Sequence, residues 1–215
     1  MDFAIKGQPV LKLYNFYGGF IIYGQYDKSR IKINAHRRVE TTERDKLEKM
    51  LSNISIPIRH HHDTLYAHVE VPVPQQNERY SCGLNLFIPY GMPVQIDYVK
   101  NDVITHELDS LVYVRNAQSR ILLARHCGSA DLIAQSHINL EIDTLRPHGF
   151  IYAKADSGDI NIVLPGNAEA TIYAKSFFHP IELTNIYLPQ KLTSHYIIDG
   201  TIGKGDASIH LETVS

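Results

Sequence analysis

Ten short apolar stretches decide the fold: VQIDY (94–98), VITHEL (103–108), LVYVR (111–115), ILLAR (121–125), DLIAQ (131–135), INLEI (138–142), FIYAK (150–154), INIVL (160–164), TIYAK (171–175) and SIHLE (208–212). Through the first eight, a new stretch starts about every nine or ten residues. That spacing is too short for a helix between strands and too regular for a random loop. It marks a β-solenoid or a closely wound β-sandwich, in which each turn of chain lays one strand on the turn before it. IYAK occurs at both 151–154 and 172–175, and a Gly-Asp turn leads into an alternating strand at both 157–162 and 204–209. Two strands per turn of roughly 20 residues produce such repeats. The ladder from Val94 to Leu164 is therefore expected to pair in parallel, with Leu140 and Ile160 facing inward.

Upstream, VLKLYNF (10–16) alternates apolar and polar residues, Tyr17-Gly18-Gly19 reads as a hairpin turn, and FIIYGQY (20–26) continues the strand pattern. Ile31, Ile33 and Ala35 share one face of a third strand. One helix is legible from Thr42 to Asn53, with Leu47, Met50, Leu51 and Ile54 at helical spacing. Thr41 or Thr42 is its expected N-cap, and Asp45 to Lys49 is a favourable i,i+4 pair. This helix is expected to cover an open end of the sheet structure. Ile56-Pro57-Ile58 and LYAHVEV (65–71) flank a hairpin turn at His62-Asp63-Thr64.

The chain has 215 residues, enough for one large domain: strands and a capping helix over 1–92, and the strand ladder over 93–215. A formal net charge of -2 without a basic stripe argues against nucleic acid as a partner. No apolar run approaches the roughly 18 residues of a spanning helix. The start, MDFAIKGQPVLKL, has no apolar core of a secretory signal. Either the protein is cytoplasmic or a signal peptide has been removed ahead of Met1. Cys82 and Cys127 match no metal or redox spacing, and either two half-buried thiols or a disulfide fits them. The 13 Tyr suit exposed sheet faces, being strand formers with a polar tip.

In order and spacing these phrases resemble the bacterial "putative adhesin" domain, a β-solenoid family. The resemblance is carried by VLKLYNFYGGFIIYGQYDKSRIKINAHRR (10–38), DTLYAHVEV (63–71), LFIPYGMPVQIDYVKNDV (86–103), ADSGDINIVLPGNAEATIYAKS (155–176) and GKGDASIHLETVS (203–215). It covers nearly the whole chain. The family's Gly-Asp turns are mostly missing between Val103 and Leu145. The resemblance implies a right-handed parallel solenoid and an exported protein, placed in the periplasm or on the cell surface if a signal peptide has been removed and in the cytoplasm otherwise.

Candidate chemistry is sparse. His60, His61 and His62 alternate faces on a strand, so at most two of them could share a metal with Asp63. Residues 105–109, THELD, lack the second His of a zinc-protease helix. Asp131, Glu141, Asp143, Asp156 and Asp159 could pair as glycosidase carboxylates, yet Asp156 and Asp159 flank Gly158, where a tight turn already favours them. No Gly-x-Ser-x-Gly elbow and no phosphate loop is present. Neither a cofactor nor a metal is expected. The segment 176–196 interrupts the ladder, and Phe177, Phe178, Ile186 and Tyr187 form the candidate partner-contact patch; a packed plug over the solenoid end is the alternative. The leading function is a non-catalytic exported structural or binding protein, adhesin-like, with a protein or glycan ligand. The alternatives are a polysaccharide-acting enzyme on a β-helix scaffold and a self-assembling solenoid scaffold.

Overall fold

The computed structural model describes residues 1–177, 180, 182, 188 and 196–214, with residues 192–194 described through their backbone. In chain order the first strands are β1 (Asp2–Ala4), β2 (Val10–Asn15), β3 (Phe20–Gln25), β4 (Arg30–Glu40), β5 (Ile58–His61), β6 (Thr64–His68) and β7 (Arg79–Pro89). The ladder then supplies β8 (Val94–Val99), β9 (Val103–His106), β10 (Val112–Ala117), β11 (Ile121–His126), β12 (Ala130–Ala134), β13 (Ile138–Ile142), β14 (Phe150–Ala155) and β15 (Ile160–Val163). The last four are β16 (Ala170–Ser176), β17 (Leu192–Ser194), β18 (Ile197–Ile202) and β19 (Ala207–Thr213).

These strands build two mixed sheets. The smaller runs β1-β4-β7-β3-β9-β11-β13-β15, and the larger β17-β18-β16-β19-β14-β12-β10-β8-β2-β6-β5. From β8 to β15 each strand joins the sheet its predecessor did not. Pairing between alternate strands is parallel throughout this stretch, as the nine-residue rhythm predicts. Val94, Val112 and Ala130 stand side by side at 18-residue steps, and Ile121, Ile138 and Ile160 do the same on the other sheet at steps of 17 and 22. The buried residues of both inner faces form one contiguous core. Packing of this kind contributes about 25 cal/mol for each Å² of apolar surface taken from water.

Several expectations are corrected. Tyr17-Gly18-Gly19 is not a hairpin turn: β2 and β3 lie in different sheets, so the glycines make a corner between them. A Cβ on Gly18 would collide with the Cys82 carbonyl, and one on Gly19 with that of Asp102. Glycine is needed here for close stacking of one turn on the next. Asn15, fully buried, braces the corner: its amide donates to the Cys82 carbonyl at 2.7 Å and its Oδ1 accepts the Tyr17 N–H at 3.0 Å.

The ladder does not run in sequence to its end. β19 inserts between β14 and β16, parallel to both. Pairing is antiparallel at the margins, in β1/β4, β4/β7, β5/β6, β16/β18 and β17/β18. Ile160 is half-buried, whereas Leu140 is buried, because β15 is the edge of the smaller sheet among the described residues.

The helix is shorter than its periodicity suggests. Arg44–Lys46 form a 3-10 turn, and α1 (Leu47–Ser52) follows. The Thr41 hydroxyl accepts the Glu43 N–H at 3.1 Å, a local turn that competes with an earlier helix start. In place of the expected Asp45–Lys49 pair, Lys46 meets Glu43 at 2.5 Å. Met50 and Ile54 are buried, and α1 packs on β4, which β1 flanks only from Arg30 to Lys32. The His62 turn is confirmed: His61 faces Thr64 across it, and His62 takes a φ of 49°.

Candidate binding face

The outer face of the larger sheet carries an ordered row of side chains. Four strands repeat one phrase, a Tyr between two buried residues: Leu65-Tyr66-Ala67, Val112-Tyr113-Val114, Ile151-Tyr152-Ala153 and Ile172-Tyr173-Ala174. Alternation along a strand turns each of these Tyr residues outward. Register then aligns them. Tyr66 sits beside Lys12, Lys12 beside Gln95, and Gln95 beside Tyr113. The row continues through Asp131, Tyr152, His210 and Tyr173 to Asp199.

Contacts along the row are ring to ring and ring to cation. His210 lies between Tyr152 and Tyr173, with centroids 5.3 and 4.9 Å away and planes tilted by 41° and 45°. The Arg115 guanidinium covers the Tyr113 ring at 4.6 Å and also holds Asp131 at 2.6 Å. Lys12 stands 5.9 Å over Tyr66. One position further along the strands, Lys154 meets Glu212 at 3.5 Å. Tyr14 accompanies the row on β2; its bond to Asp97 and its burial raise its pKa. At the β5 end, Tyr14, Phe16, Arg59, Tyr66, His68 and Val69 line an open cleft of ≈ 350 Å³.

The smaller sheet has an aromatic row of a different kind. Phe87, Tyr23 and His106 stack at 5.1 and 4.9 Å with planes only 17° and 9° apart. Their faces are closed on one another.

The expected contact patch is described in part. Phe177 is 49% exposed just after β16, with the Lys175 ammonium 4.2 Å over its ring. Phe178, Ile186 and Tyr187 lie outside the described residues. Leu188, from the same segment, is buried in the core cluster. Cys82 and Cys127 are both free; Cys82 is buried, which raises its thiol pKa, and Tyr90 donates to Cys127 Sγ at 3.7 Å.

The other candidates keep structural partners. His61 and His62 pack ring on ring at 4.1 Å, and no cluster of three or more metal-ligating residues occurs among the described residues. Asp131 lies on a strand, not a turn, and is paired with Arg115. Asp143 holds Arg125 at 3.3 Å, and Asp159 stands 3.8 Å from His137. His126, passed over in the sequence, is fully buried, with one nitrogen near the Ser129 carbonyl and the other unpartnered among the described residues.

A two-sheet all-β protein with a broad, ordered outer face is the class that fold and site define. No family model matches the chain, and no curated protein sequence matches it. Its fold is similar to the crystal structure of a "putative cell adhesion protein" from Clostridium sporogenes, with a TM-score of 0.51 and 11% identity over 99% of this chain and 92% of that one. A "putative adhesin" from Parabacteroides distasonis matches at 12% identity and a TM-score of 0.25, over 76% of this chain and 68% of that one. At such identities the first likeness speaks for the fold alone. No helix among the described residues is long and apolar enough to cross a membrane.

Proposed function

We propose that this chain is a non-catalytic, adhesin-like binding protein, exported to the periplasm or cell surface and built as one right-handed parallel β-solenoid domain. The observation that carries the reading is the row from Tyr66 to Asp199, which crosses the outer face of nine successive strands in register. A row of this length suits an extended contact surface. Parallel pairing of alternate strands supports the solenoid, and parallel crossovers are right-handed in the great majority of folds. The name of the Clostridium neighbour agrees with a binding role. Against an enzyme stand the pairing of Asp131 and Asp143 with arginines and the openness of the face. The patch around Phe177 is kept as a secondary contact.

Adhesion of protein-coated beads to immobilised mucin, collagen and isolated cell walls tests the binding role. Retention on at least one surface is expected, and no retention on any of them would sink it. Antibody labelling of intact against lysed producing cells tests export: signal confined to lysed cells, with none released from the periplasm, would overturn that part.

A further inference from the structure

We propose that the outer face of the larger sheet binds a neutral, hydroxyl-rich polysaccharide laid across the strands along the tyrosine row. The proposal rests on the binding-protein reading and assigns it a ligand class and a surface.

Three properties of the face point to this ligand. The first is charge. Arg115 is spent on Asp131 and Tyr113, Lys154 on Glu212, and Lys175 on the Phe177 ring. Lys12 and Lys175 lie over rings without a carboxylate partner among the described residues, and Asp199 ends the row. Charges of both signs are thus interspersed, so a polyanion meets no continuous positive stripe and a basic peptide no continuous acidic one. A neutral ligand is the complementary one.

The second is hydrogen bonding. Among the described residues, the hydroxyls of Tyr66, Tyr113, Tyr152 and Tyr173 make no hydrogen bond within the chain. A phenol hydroxyl both donates and accepts, as a sugar hydroxyl does. Tyr152 and Tyr173 tilt against His210 and, among the described residues, have no cation over them. They also offer apolar ring surface against which the C–H face of a sugar can rest, whereas Arg115 and Lys12 lie over the rings of Tyr113 and Tyr66. On the smaller sheet the Phe87–Tyr23–His106 rings are nearly parallel and stack on each other, so that row offers less.

The third is spacing. Tyr113, Tyr152 and Tyr173 are each two strands apart. At ~4.8 Å per strand they recur every ~9.6 Å. That is a step of the order of one disaccharide in an extended chain. The row is open at its sides, so it suits internal units of a long polymer and has no pocket for a chain end.

Native affinity electrophoresis decides the matter. The protein is run through gels containing hydroxyethylcellulose, arabinoxylan, amylopectin or heparin, beside a gel without polymer. At least one neutral polymer is expected to retard it, and heparin is not. The double variant Tyr152→Ala/Tyr173→Ala should lose that retardation at least tenfold in apparent affinity. The single variant Tyr113→Ala gives an independent reading if the double variant fails to fold. Tyr23→Ala, on the opposite face, should bind as the parent does. The proposal is overturned by no retardation in any neutral gel, by retardation in heparin alone, or by equal retardation of folded face variants. Beads that still adhere to collagen while all neutral gels stay silent would refute this ligand class and leave the binding role standing. Failure of both would refute the two together.

Discussion

Two buried polar residues set the tolerance of the core to change. Asn15 satisfies a carbonyl and an N–H that no water reaches, so Asn15→Ala should cost about 1–3 kcal/mol by leaving both unpaired. Chemical denaturation measures this, and an unchanged midpoint would show the corner to be self-supporting. His126 is buried with one unpartnered nitrogen; burial pulls its pKa below the ordinary value, opposed by the Ser129 carbonyl and by Asp109 nearby. The unfolded chain therefore binds a proton that the folded chain refuses. Stability from this residue is complete above the unfolded pKa of ~6.5 and is lost as pH falls from there toward the lower folded value. The melting temperature should drop between pH 7.5 and 5.5, and His126→Leu should shrink that drop. An identical drop in the variant would assign the effect to other groups.

At the scale of the strand, the phase of alternation explains both what the sequence revealed and what it hid. β8, β10 and β11 share one burial rhythm, with the first, third and sixth residues inside. An extra residue sits between the third and the sixth, and Asn116 and Arg125 take φ values of 54° and 55° there. Such a bulge flips every later side chain to the other face. Strict alternation from Ile121 points Arg125 inward and His126 outward; the bulge reverses both. That is why the buried histidine escaped a period-two reading while Val112, Val114, Ile121 and Leu123 did not. The tyrosine row was written in the sequence as the phrase of an apolar residue, Tyr and an apolar residue, but its alignment depends on register, which no single strand reveals. Asn116→Gly should be nearly neutral, because both residues accept a left-handed backbone, whereas Asn116→Val should cost about 1–3 kcal/mol. Equal stabilities would mean that the bulge relaxes freely. Leu140→Asp should unfold the protein under conditions where Ile160→Asp, on the half-buried edge strand, only lowers its melting temperature. The reverse ranking would contradict the assignment of β15 to an edge.

Over the whole molecule, turns are joined side to side by polar contacts that step with the winding. Arg120 bonds Asp102, and Arg125 bonds both Glu107 and Asp143, each partner 18 residues away in the chain. These pairs are exposed and each adds little; the parallel ladder and its core carry the cohesion. Stepwise winding is broken where a strand lies between strands that precede it, as β7 does between β4 and β3 and β19 does between β14 and β16. Truncation after Ile202 should therefore strip amide-exchange protection from β16 and β18 while β8 to β12 keep theirs. Uniform loss, or none, would disprove this division. The insertion of β19 also orders events on the ribosome. From β8 to β15 each strand can dock on one already made, but β16 emerges with the place beside β14 reserved for a strand not yet synthesised. At about 5–20 residues per second, the 43 residues separating Ala170 from Thr213 keep that edge waiting for about 2–9 s. During that interval β14 and β16 could join each other prematurely, and a chain that did so would have to part them again before β19 could enter.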